Sequence, residues 1–388
     1  MKKPHLLISF RRILSLNRLL ETTIAVGPPK TGTTSIQCTL INNEKLLETD
    51  NFVFIGKASD CPASSRKGQR LFVEPKELSI CVKSGVSECQ EYHKLELILE
   101  GALERGQNVV FSAENAFIFG THEVFKEFLM KRWNVKVVVT YRRYYEWLVS
   151  YYNSKYKPSL MRRDRADLNV WPAKGGKSIP TFDQILSGNF TKGNKVAQFN
   201  FNWYQDVITE FEKHYHDVVV LNMHDGRPGD DDVSESSILV KKFACDVMNA
   251  ANTCKRGKVS ALKNPSAKLY PDMLALAAYD ENLFAWKKIS RENVRKAILR
   301  YDGLGENVPL KCISKQHEDE LLRASLRYEE EFLPKFYESP RGKVVHMRKF
   351  RDSTSTLFCN VDTEEALRDH HWTSFFNSLT DTNAVPWN

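Results

Sequence analysis

The sequence predicts an α/β fold of three layers, in which a central parallel sheet is flanked by helices and followed by a mostly helical C-terminal portion from about residue 265. Two observations indicate this class. Short runs rich in β-branched residues alternate with longer stretches of helical periodicity, which is typical of βαβ units. The runs are also apolar almost throughout, as expected of parallel strands covered on both faces. Strands are predicted at 22–26, 52–55, 109–112, 135–140 and 218–221.

Helices are predicted where apolar residues recur every three or four positions. Between the first two strands Ile36, Leu40 and Leu47 carry this spacing, and further helices are expected at 122–133, 144–156, 196–214 and 237–250. After Pro265 the apolar faces are expected to comprise Leu269, Met273 and Leu276, and later Leu322, Leu326 and Leu333. Residues 57–90 and 157–180 are predicted as long loops, the second of them a solvated basic run or a contact for an acidic substrate. We therefore expect one domain over 21–388 after a basic amphipathic segment over 1–20.

Composition limits the classes of function. The 388 residues are 42% apolar and 27% charged, as in a globular chain. The net charge of +8 favours an anionic ligand, but against 56 basic and 48 acidic residues it does not by itself indicate nucleic acid. The eight cysteines include no C-x-x-C pair, so no metal site is expected. We expect buried free thiols, with one or two disulfides as the alternative if the chain enters an oxidising compartment.

The N-terminal segment leaves the location of the protein open. No apolar run reaches the roughly 18 residues that crossing a bilayer requires. The nearest, at 6–20, is interrupted by Arg11, Arg12 and Arg18. It fits an amphipathic targeting or membrane-surface segment, a solvated leading helix, or the remnant of a longer anchor. The Golgi or secretory lumen and the cytoplasm both remain alternatives, and neither membrane association nor oligomeric state follows from these residues.

The most informative segment joins the first predicted strand to the first predicted helix. Residues 22–35 read Thr-Thr-Ile-Ala-Val-Gly-Pro-Pro-Lys-Thr-Gly-Thr-Thr-Ser. The first N–H groups of a helix have no partner within it, and together with the helix dipole they bind anions. Thr33 and Thr34 add hydroxyl donors, Lys30 adds a charge, and Gly32 lets the backbone approach a ligand closely. The segment predicts a phosphate-binding loop, with an ordinary well-capped turn as the alternative.

The position of the lysine distinguishes this loop from that of NTPases and kinases. Gly27 and Gly32 have the G-x-x-x-x-G spacing, but Thr33 stands where those enzymes carry a Lys. We find no convincing apolar run that ends in an Asp able to hold Mg²⁺. A nucleotide-dependent kinase with a variant P-loop is therefore an alternative function, and it requires Mg²⁺-dependent binding of ATP.

This segment resembles the 5′-phosphosulfate loop of the sulfotransferase family, which carries P-K-[ST]-G-[ST]-[ST] after its first strand. The family uses 3′-phosphoadenosine 5′-phosphosulfate (PAPS). The resemblance implies a P-loop fold without a metal and transfer of a sulfuryl group from PAPS to a hydroxyl or amine. It implies that Lys30 is catalytic, because its charge would stabilise the departing phosphate oxygen. It assigns the 5′-phosphosulfate to Pro29, Lys30, Thr31, Gly32, Thr33, Thr34 and Ser35.

A second element follows the strand predicted at 135–140. Arg142 stands at its C-terminal end and Ser150 follows eight residues later, so about two helical turns would return the serine to the same side. A guanidinium fork and a hydroxyl there would bind one anion. The sulfotransferase family has an Arg and a Ser at this spacing and binds the 3′-phosphate of its cofactor with them, which by resemblance assigns that role to Arg142 and Ser150. Arg143 is the competing arginine, and the Tyr and Trp residues of 144–156 are expected to pack in the core.

The candidate general base follows another strand. Open α/β sheets hold their chemistry at the carboxyl ends of the strands, and Glu114 comes directly after the strand predicted at 109–112. Several carbohydrate sulfotransferases use a Glu at a comparable place, so Glu114 is expected to accept the proton of the acceptor. A structural carboxylate is the alternative for Glu114, His122 is the second candidate base, and Ser112 is a candidate assisting residue. Residues 255–258, Lys-Arg-Gly-Lys, loosely resemble the late cofactor-binding loop of the family, with a different residue order.

One departure from the family pattern concerns the acceptor. Small-molecule cytosolic members usually carry a Trp after Gly-Thr-Thr, where this chain has Ser35. The chain therefore looks more like the carbohydrate branch, whose animal members normally have a Golgi anchor. The predicted function is a PAPS-dependent sulfotransferase acting on a carbohydrate or small hydroxyl compound, with no nucleic-acid partner. A catalytically inactive glycan-binding protein on the same fold is the second alternative beside the kinase.

Overall fold

The chain forms two compact units, unit 1 from 1–142 and 203–263 and unit 2 from 143–202 and 264–388. The computed structural model describes residues 20–27, 31–56, 61, 78, 80, 85–112, 123–161, 180–187, 203–225, 235–258, 270–284, 289–301, 308–354 and 357–379. The predicted N-terminal segment, residues 1–20, lies outside the described residues except for Leu20, with which the first strand begins. Among the helices of the described ranges, none is long and apolar enough to cross a membrane.

Unit 1 is built on a parallel sheet of five strands in the order β2-β3-β1-β4-β5. The strands are β1 (Leu20–Val26), β2 (Phe52–Gly56), β3 (Asn108–Ser112), β4 (Trp133–Tyr141) and β5 (Asp217–Asn222). All five predicted strands are confirmed to within two residues at each end. They form because Val-rich segments such as the centre of β4 pack well on both faces of a pleated sheet, and Val137, Val138 and Val139 are fully buried.

Helices cover both faces of this sheet. They are α1 (Thr33–Asn42), α2 (Glu44–Thr49), α3 (Gln90–Glu104), α4 (Glu123–Met130), α7 (Trp203–Glu212), α8 (Glu235–Lys242) and α9 (Ala251–Arg256), with a π-helical turn at Phe243–Val247. Successive strand residues point to opposite faces. Ala25 belongs to a buried cluster with Ile36 of α1 and Leu239 of α8. Ile24 shares a small cavity with Leu95 of α3 and other residues of the opposite face. The three-layer α/β fold is thereby confirmed.

Unit 2 is mostly helical, as predicted for the C-terminal portion. Its helices are α5 (Tyr144–Met161), α6 (Phe182–Leu186), α10 (Tyr270–Asp280), α11 (Arg291–Tyr301), α12 (Lys315–Phe332), α13 (Pro334–Tyr337), α14 (Lys343–Ser353), α15 (Thr363–Arg368) and α16 (His370–Ser378). Two short antiparallel strands, β6 (Leu310–Cys312) and β7 (Cys359–Val361), complete it. Residues 157–161, predicted as the start of a loop, are the last turn of α5.

A buried ion pair organises the centre of unit 2. Arg143 Nε lies 3.2 Å from Glu329 Oε1, and both side chains are at most 1% exposed. The other carboxylate oxygen of Glu329 lies 2.9 Å from His346 Nδ1, on α14. Because this pair buries a polar side of α12, the apolar face that the sequence predicts for this helix is wrong. Leu322, Leu326 and Leu333 are only half-buried, whereas Leu321, Ser325, Tyr328 and Glu329 form the buried face.

Disulfides replace the free thiols that we expected. Cys38–Cys61 and Cys245–Cys254 lie in unit 1 and Cys312–Cys359 in unit 2, and Cys89 is disulfide-bonded as well. No cysteine of the described ranges is free. The expectation of buried free thiols is therefore wrong for these residues, because the fold brings cysteines distant in sequence within bonding distance.

The carboxylate of Asp50, which directly follows α2, binds the first turn of α9. Asp50 Oδ1 accepts hydrogen bonds from the backbone N–H and side-chain amide of Asn252, both at 2.8 Å. Its Oδ2 accepts from the backbone N–H and hydroxyl of Thr253, at 2.7 and 2.8 Å. Burial raises the pKa of Asp50, but these hydrogen bonds to the charged form outweigh it and hold the pKa below its usual value.

Candidate phosphate-binding site

The loop after β1 passes very close to β4. A side chain at Gly27 would overlap Thr140 Oγ1 and would place its Cβ 2.6 Å from Thr31 Oγ1. The hydroxyls of Thr31 and Thr140 share a hydrogen bond of 2.7 Å, and both residues are fully buried. Both ends of the predicted phosphate loop, Gly27 and Thr31, are therefore held against Thr140 of the neighbouring strand β4.

Gly32 begins helix α1 in the left-handed conformation. Its φ is 87° and its ψ is 6°, a backbone conformation that residues other than glycine rarely adopt. An added Cβ would also lie 2.5 Å from Leu239 Cδ2. The carbonyl oxygen of Gly32 accepts hydrogen bonds from Ser35 N at 3.0 Å and Ile36 N at 3.2 Å. Both backbone conformation and space therefore require glycine at this position, as expected from the sequence.

The first turn of α1 has the polarity of an anion site. Thr33 is 1% exposed, and its Oγ1 has no hydrogen-bond partner within the described part of the chain. Thr34 is half-buried and Ser35 is 4% exposed. The turn contains no acidic residue that would cancel the positive end of the helix dipole. A buried hydroxyl rarely lacks a partner, so Thr33 fits an anionic ligand at the N-terminus of α1. Pro29 and Lys30 lie outside the described residues.

Arg142 leaves the same edge of the sheet. Strands β1 and β4 are parallel neighbours, with Val26 opposite Val139, and Arg142 follows Thr140 by two residues. The Tyr204 hydroxyl accepts a hydrogen bond from Arg142 N and donates one to Arg142 O, both at 3.3 Å. This arrangement fixes the backbone of Arg142 beside the loop. Arg143, the competing arginine, is buried in the ion pair with Glu329 and does not take part in this edge.

The remaining predicted residues are placed as follows. Ser150 lies on α5, in unit 2, and is 9% exposed. Glu114 and His122 lie outside the described residues. Ser112 ends β3 fully buried, and its hydroxyl has no partner among the residues described. Four aromatic residues of α5 are buried as predicted, since Tyr144, Tyr145, Trp147 and Tyr152 are at most 4% exposed, whereas Tyr151 is only half-buried.

Sequence reasoning missed Asn222, the last residue of β5. Asn222 is 3% exposed and lies opposite Tyr141 in the sheet. Its Oδ1 accepts a hydrogen bond from His224 N at 3.0 Å, and its Nδ2 has no partner in the ranges that the structure covers. An amide that follows a run of valines at the carboxyl end of a strand was the signal that could have found it.

The basic segment at 255–258 does not belong to the described part of this site. Lys255 and Arg256 lie in the last turn of α9. The Asn43 amide accepts a hydrogen bond from Lys258 N and donates one to Lys258 O, both at 2.9 Å. Asn43 follows the C-terminus of α1, and a helix of 10 residues is about 15 Å long. The backbone of Lys258 is therefore held at the end of α1 opposite the phosphate loop.

Fold and site together define an α/β protein with a tight glycine loop and a helix N-terminus at the carboxyl edge of a parallel sheet. No group of His, Cys, Asp and Glu in the described ranges has the arrangement of a metal site. Comparison with known proteins adds no relative, since the chain matches no protein-family model, no curated protein and no solved structure.

Proposed function

We propose that this chain is a PAPS-dependent sulfotransferase that transfers a sulfuryl group to a hydroxyl or amine of an acceptor, in particular of a carbohydrate. One observation carries the proposal. The hydroxyl of Thr33 is buried without a partner among the described residues, at the N-terminus of the helix that follows a tight glycine loop. The sequence resemblance gives this loop a 5′-phosphosulfate as its ligand.

The residues of unit 1 fit such a ligand. The N–H groups and hydroxyls at 31–35 would bind the 5′-phosphosulfate, since each charge-assisted hydrogen bond contributes roughly 1.5–3 kcal/mol. The Arg142 guanidinium would bind the 3′-phosphate. PAPS supplies the activated sulfuryl group. Lys30 would stabilise negative charge on the departing phosphate oxygen, and Glu114 would take the proton of the acceptor.

Disulfides support a secretory setting for this activity. Bonds such as Cys38–Cys61 and Cys312–Cys359 form and persist in oxidising compartments and are rare in the cytoplasm. Among the alternatives for location, we therefore favour the secretory lumen, where glycan acceptors are modified. This placement agrees with the carbohydrate branch indicated by Ser35.

Calorimetry with three nucleotides tests the proposal. We expect 3′-phosphoadenosine 5′-phosphate (PAP) to bind more tightly than AMP, and Mg²⁺–ATP to bind weakly, because only PAP carries both phosphates that the site would recognise. Absence of PAP binding to the wild-type chain would contradict the proposal. Preference for Mg²⁺–ATP would support the kinase, and PAP binding without transfer to any acceptor in a screen with labelled PAPS would support an inactive protein.

Matched variants locate the binding site. Thr33→Val should weaken PAP binding about 10- to 150-fold, which corresponds to one charge-assisted hydrogen bond. Thr39→Val is the control, because Thr39 is also buried on α1 but lies six residues, or about 9 Å, further along the helix. Arg142→Ala should weaken PAP by a similar factor and leave AMP within about threefold. Lys30→Ala should abolish turnover while weakening PAP binding less.

A further inference from the structure

The disulfides of the described ranges differ in their access to solvent. Cys38 and Cys61 are at most 2% exposed, and Cys245 and Cys254 are half-buried. Cys312 is exposed, and no other cysteine of these ranges is. Because an external thiolate must reach a sulfur atom before it can break the bond, exposed disulfides are generally the labile ones. Cys312 is therefore the most open point of attack in the described part of the chain.

The bond from Cys312 to Cys359 joins two short strands that differ in exposure. The two cysteines lie directly opposite each other, in strands of three residues each. Strand β7 is anchored, since Phe358 before it is fully buried and Val361 at its end is 2% exposed, whereas all three residues of β6 are exposed. Two strands alone pair only weakly, and the bond spans 47 residues of sequence. The disulfide is therefore expected to be the main link that holds β6 on β7.

Strand β7 also binds the start of α6. Asn360 Oδ1 accepts a hydrogen bond from Phe182 N at 2.6 Å, and Asn360 Nδ2 donates one to the Tyr152 hydroxyl of α5 at 3.2 Å. The Tyr152 hydroxyl in turn donates to Pro180 O at 2.8 Å. These contacts depend on β7, which its own buried residues hold in place. We therefore expect them to persist when the disulfide is broken.

The residues that follow β6 bind the same helix through one carboxylate. Asp183 Oδ1 accepts a hydrogen bond from Ser314 N at 2.8 Å and lies 2.6 Å from His317 Nδ1. Burial raises the pKa of Asp183, but these contacts to the charged form outweigh it and hold the pKa below its usual value. Ser314 stands two residues after Cys312, so its position depends on where β6 lies. The disulfide therefore couples β6 to α6.

We propose that Cys312–Cys359 is a site of reversible thiol–disulfide exchange with a dithiol, and that its reduction releases β6 together with the contact between Ser314 and α6. A structural disulfide is better protected, as Cys38–Cys61 is in the core of unit 1. The exchange leaves the buried residues around β7 in place, so it opens unit 2 locally without unfolding it. The proposal does not depend on sulfuryl transfer by unit 1.

The exchange transfers two electrons from the dithiol to the protein. A thiolate of the dithiol attacks Cys312 Sγ, so that a bond forms between these two sulfurs and the Cys312–Cys359 bond breaks. The electron pair of the broken bond leaves with Cys359 Sγ, which takes up a proton. Cys359 Sγ lies 3.6 Å from Thr354 O, so the thiol formed there has an acceptor. The second thiolate of the dithiol then attacks the mixed disulfide and releases Cys312, which is protonated in turn, while the dithiol ends as a disulfide.

Titration of the folded wild-type chain with dithiothreitol, followed by alkylation of free thiols and mass spectrometry, tests the order of reduction. Cys312 and Cys359 should be alkylated at a dithiothreitol concentration at least about tenfold below that required for Cys38 and Cys61, because exchange depends on access. Oxidised glutathione should then restore the bond. Earlier reduction of any other described disulfide, or failure of this bond to form again, would overturn the proposal.

Hydrogen exchange at the lowest dithiothreitol concentration that reduces this bond measures the structural consequence. Exchange in peptides spanning 308–317 and 180–187 should rise at least about threefold, as expected for the loss of a hydrogen bond, while peptides of β4 stay unchanged. The variant Cys312→Ser/Cys359→Ser should show this rise without reductant and no further response to it. The control Cys245→Ser/Cys254→Ser removes a disulfide of unit 1 and should respond to reductant as the wild type does.

Three results of the exchange experiment would contradict the proposal. These are unchanged exchange in both peptides after the bond is reduced, a response to reductant in the Cys312→Ser/Cys359→Ser variant, and an equal rise in peptides of β4, which would indicate general unfolding. If that variant does not fold, the comparison of the reduced with the oxidised wild-type chain decides alone, because it requires no substitution.

Discussion

Replacing Gly32 by alanine should damage unit 1 for two separable reasons. The φ of 87° costs a residue with a Cβ about 1–2 kcal/mol. The new Cβ would also lie 2.5 Å from Leu239 Cδ2, in a fully buried position of α8, and overpacking of this kind costs about 1–3 kcal/mol. We therefore expect Gly32→Ala to lower the free energy of unfolding of unit 1 by about 2–5 kcal/mol, and to weaken PAP binding because the first turn of α1 shifts.

Hydrogen exchange in peptides from β1 and β4 is the appropriate assay, because a chain of two units need not unfold in one step. Gly106→Ala is the control, since Gly106 has a φ of 64° but nothing within 4 Å of an added Cβ, and only the backbone cost of about 1–2 kcal/mol applies. Leu239→Ala should relieve the overlap, so a double-mutant cycle should show a coupling of about 1–3 kcal/mol. Equal losses in Gly32→Ala and Gly106→Ala, with no coupling, would refute the reasoning.

Three further predictions concern stability. Arg143→Met leaves the carboxylate of Glu329 buried without its main cation and should destabilise unit 2 by about 3–5 kcal/mol. Replacing both residues by Met should cost less stability. Hydrogen exchange in α12 measures the loss in each variant. The lowered pKa of Asp50 means that its stabilisation is present above its unfolded pKa of about 4 and is lost as pH falls through its lower folded value. Asp50→Asn should therefore flatten the acid limb of a stability–pH profile, and an unchanged limb would contradict this. Thr140→Val removes the hydroxyl partner of Thr31 and should cost unit 1 about 1 kcal/mol, and undiminished protection of β1 would count against that hydrogen bond.

Local signals were sufficient for the fold of unit 1. Each strand is a short run rich in β-branched residues, so residues adjacent in the sequence are sufficient to predict it. The positions of Gly27 and Gly32 already indicate that the backbone approaches a neighbouring group closely. Arg142 could be placed beside the loop because parallel strands end at one edge of their sheet. The roles of the predicted site residues, among them Lys30, Arg142 and Glu114, stay predictions.

Features that depend on distant partners could not be predicted. The buried face of α12 is set by the ion pair of Glu329 with Arg143, and no local periodicity reveals an acidic residue that is to be buried. Disulfide pairing likewise depends on which segments the topology brings together, as in Cys312–Cys359, where two strands 47 residues apart are joined. Asn222 was overlooked because a single amide at a strand end has no pattern around it.

The order in which the chain is synthesised bears on how unit 2 is assembled. Arg143 precedes Glu329 by 186 residues. At about 5–20 residues per second, roughly 10–40 s pass between the synthesis of the arginine and that of its counterion. During this interval the segment that becomes α5 carries Tyr144 and Tyr145 without Tyr328 of α12 and Phe350 of α14, which later pack against them. The last residues of unit 1, near 263, emerge well before that moment. Nascent chains should therefore hold a finished unit 1 and an unfinished unit 2, and they should depend on chaperones until translation passes α14.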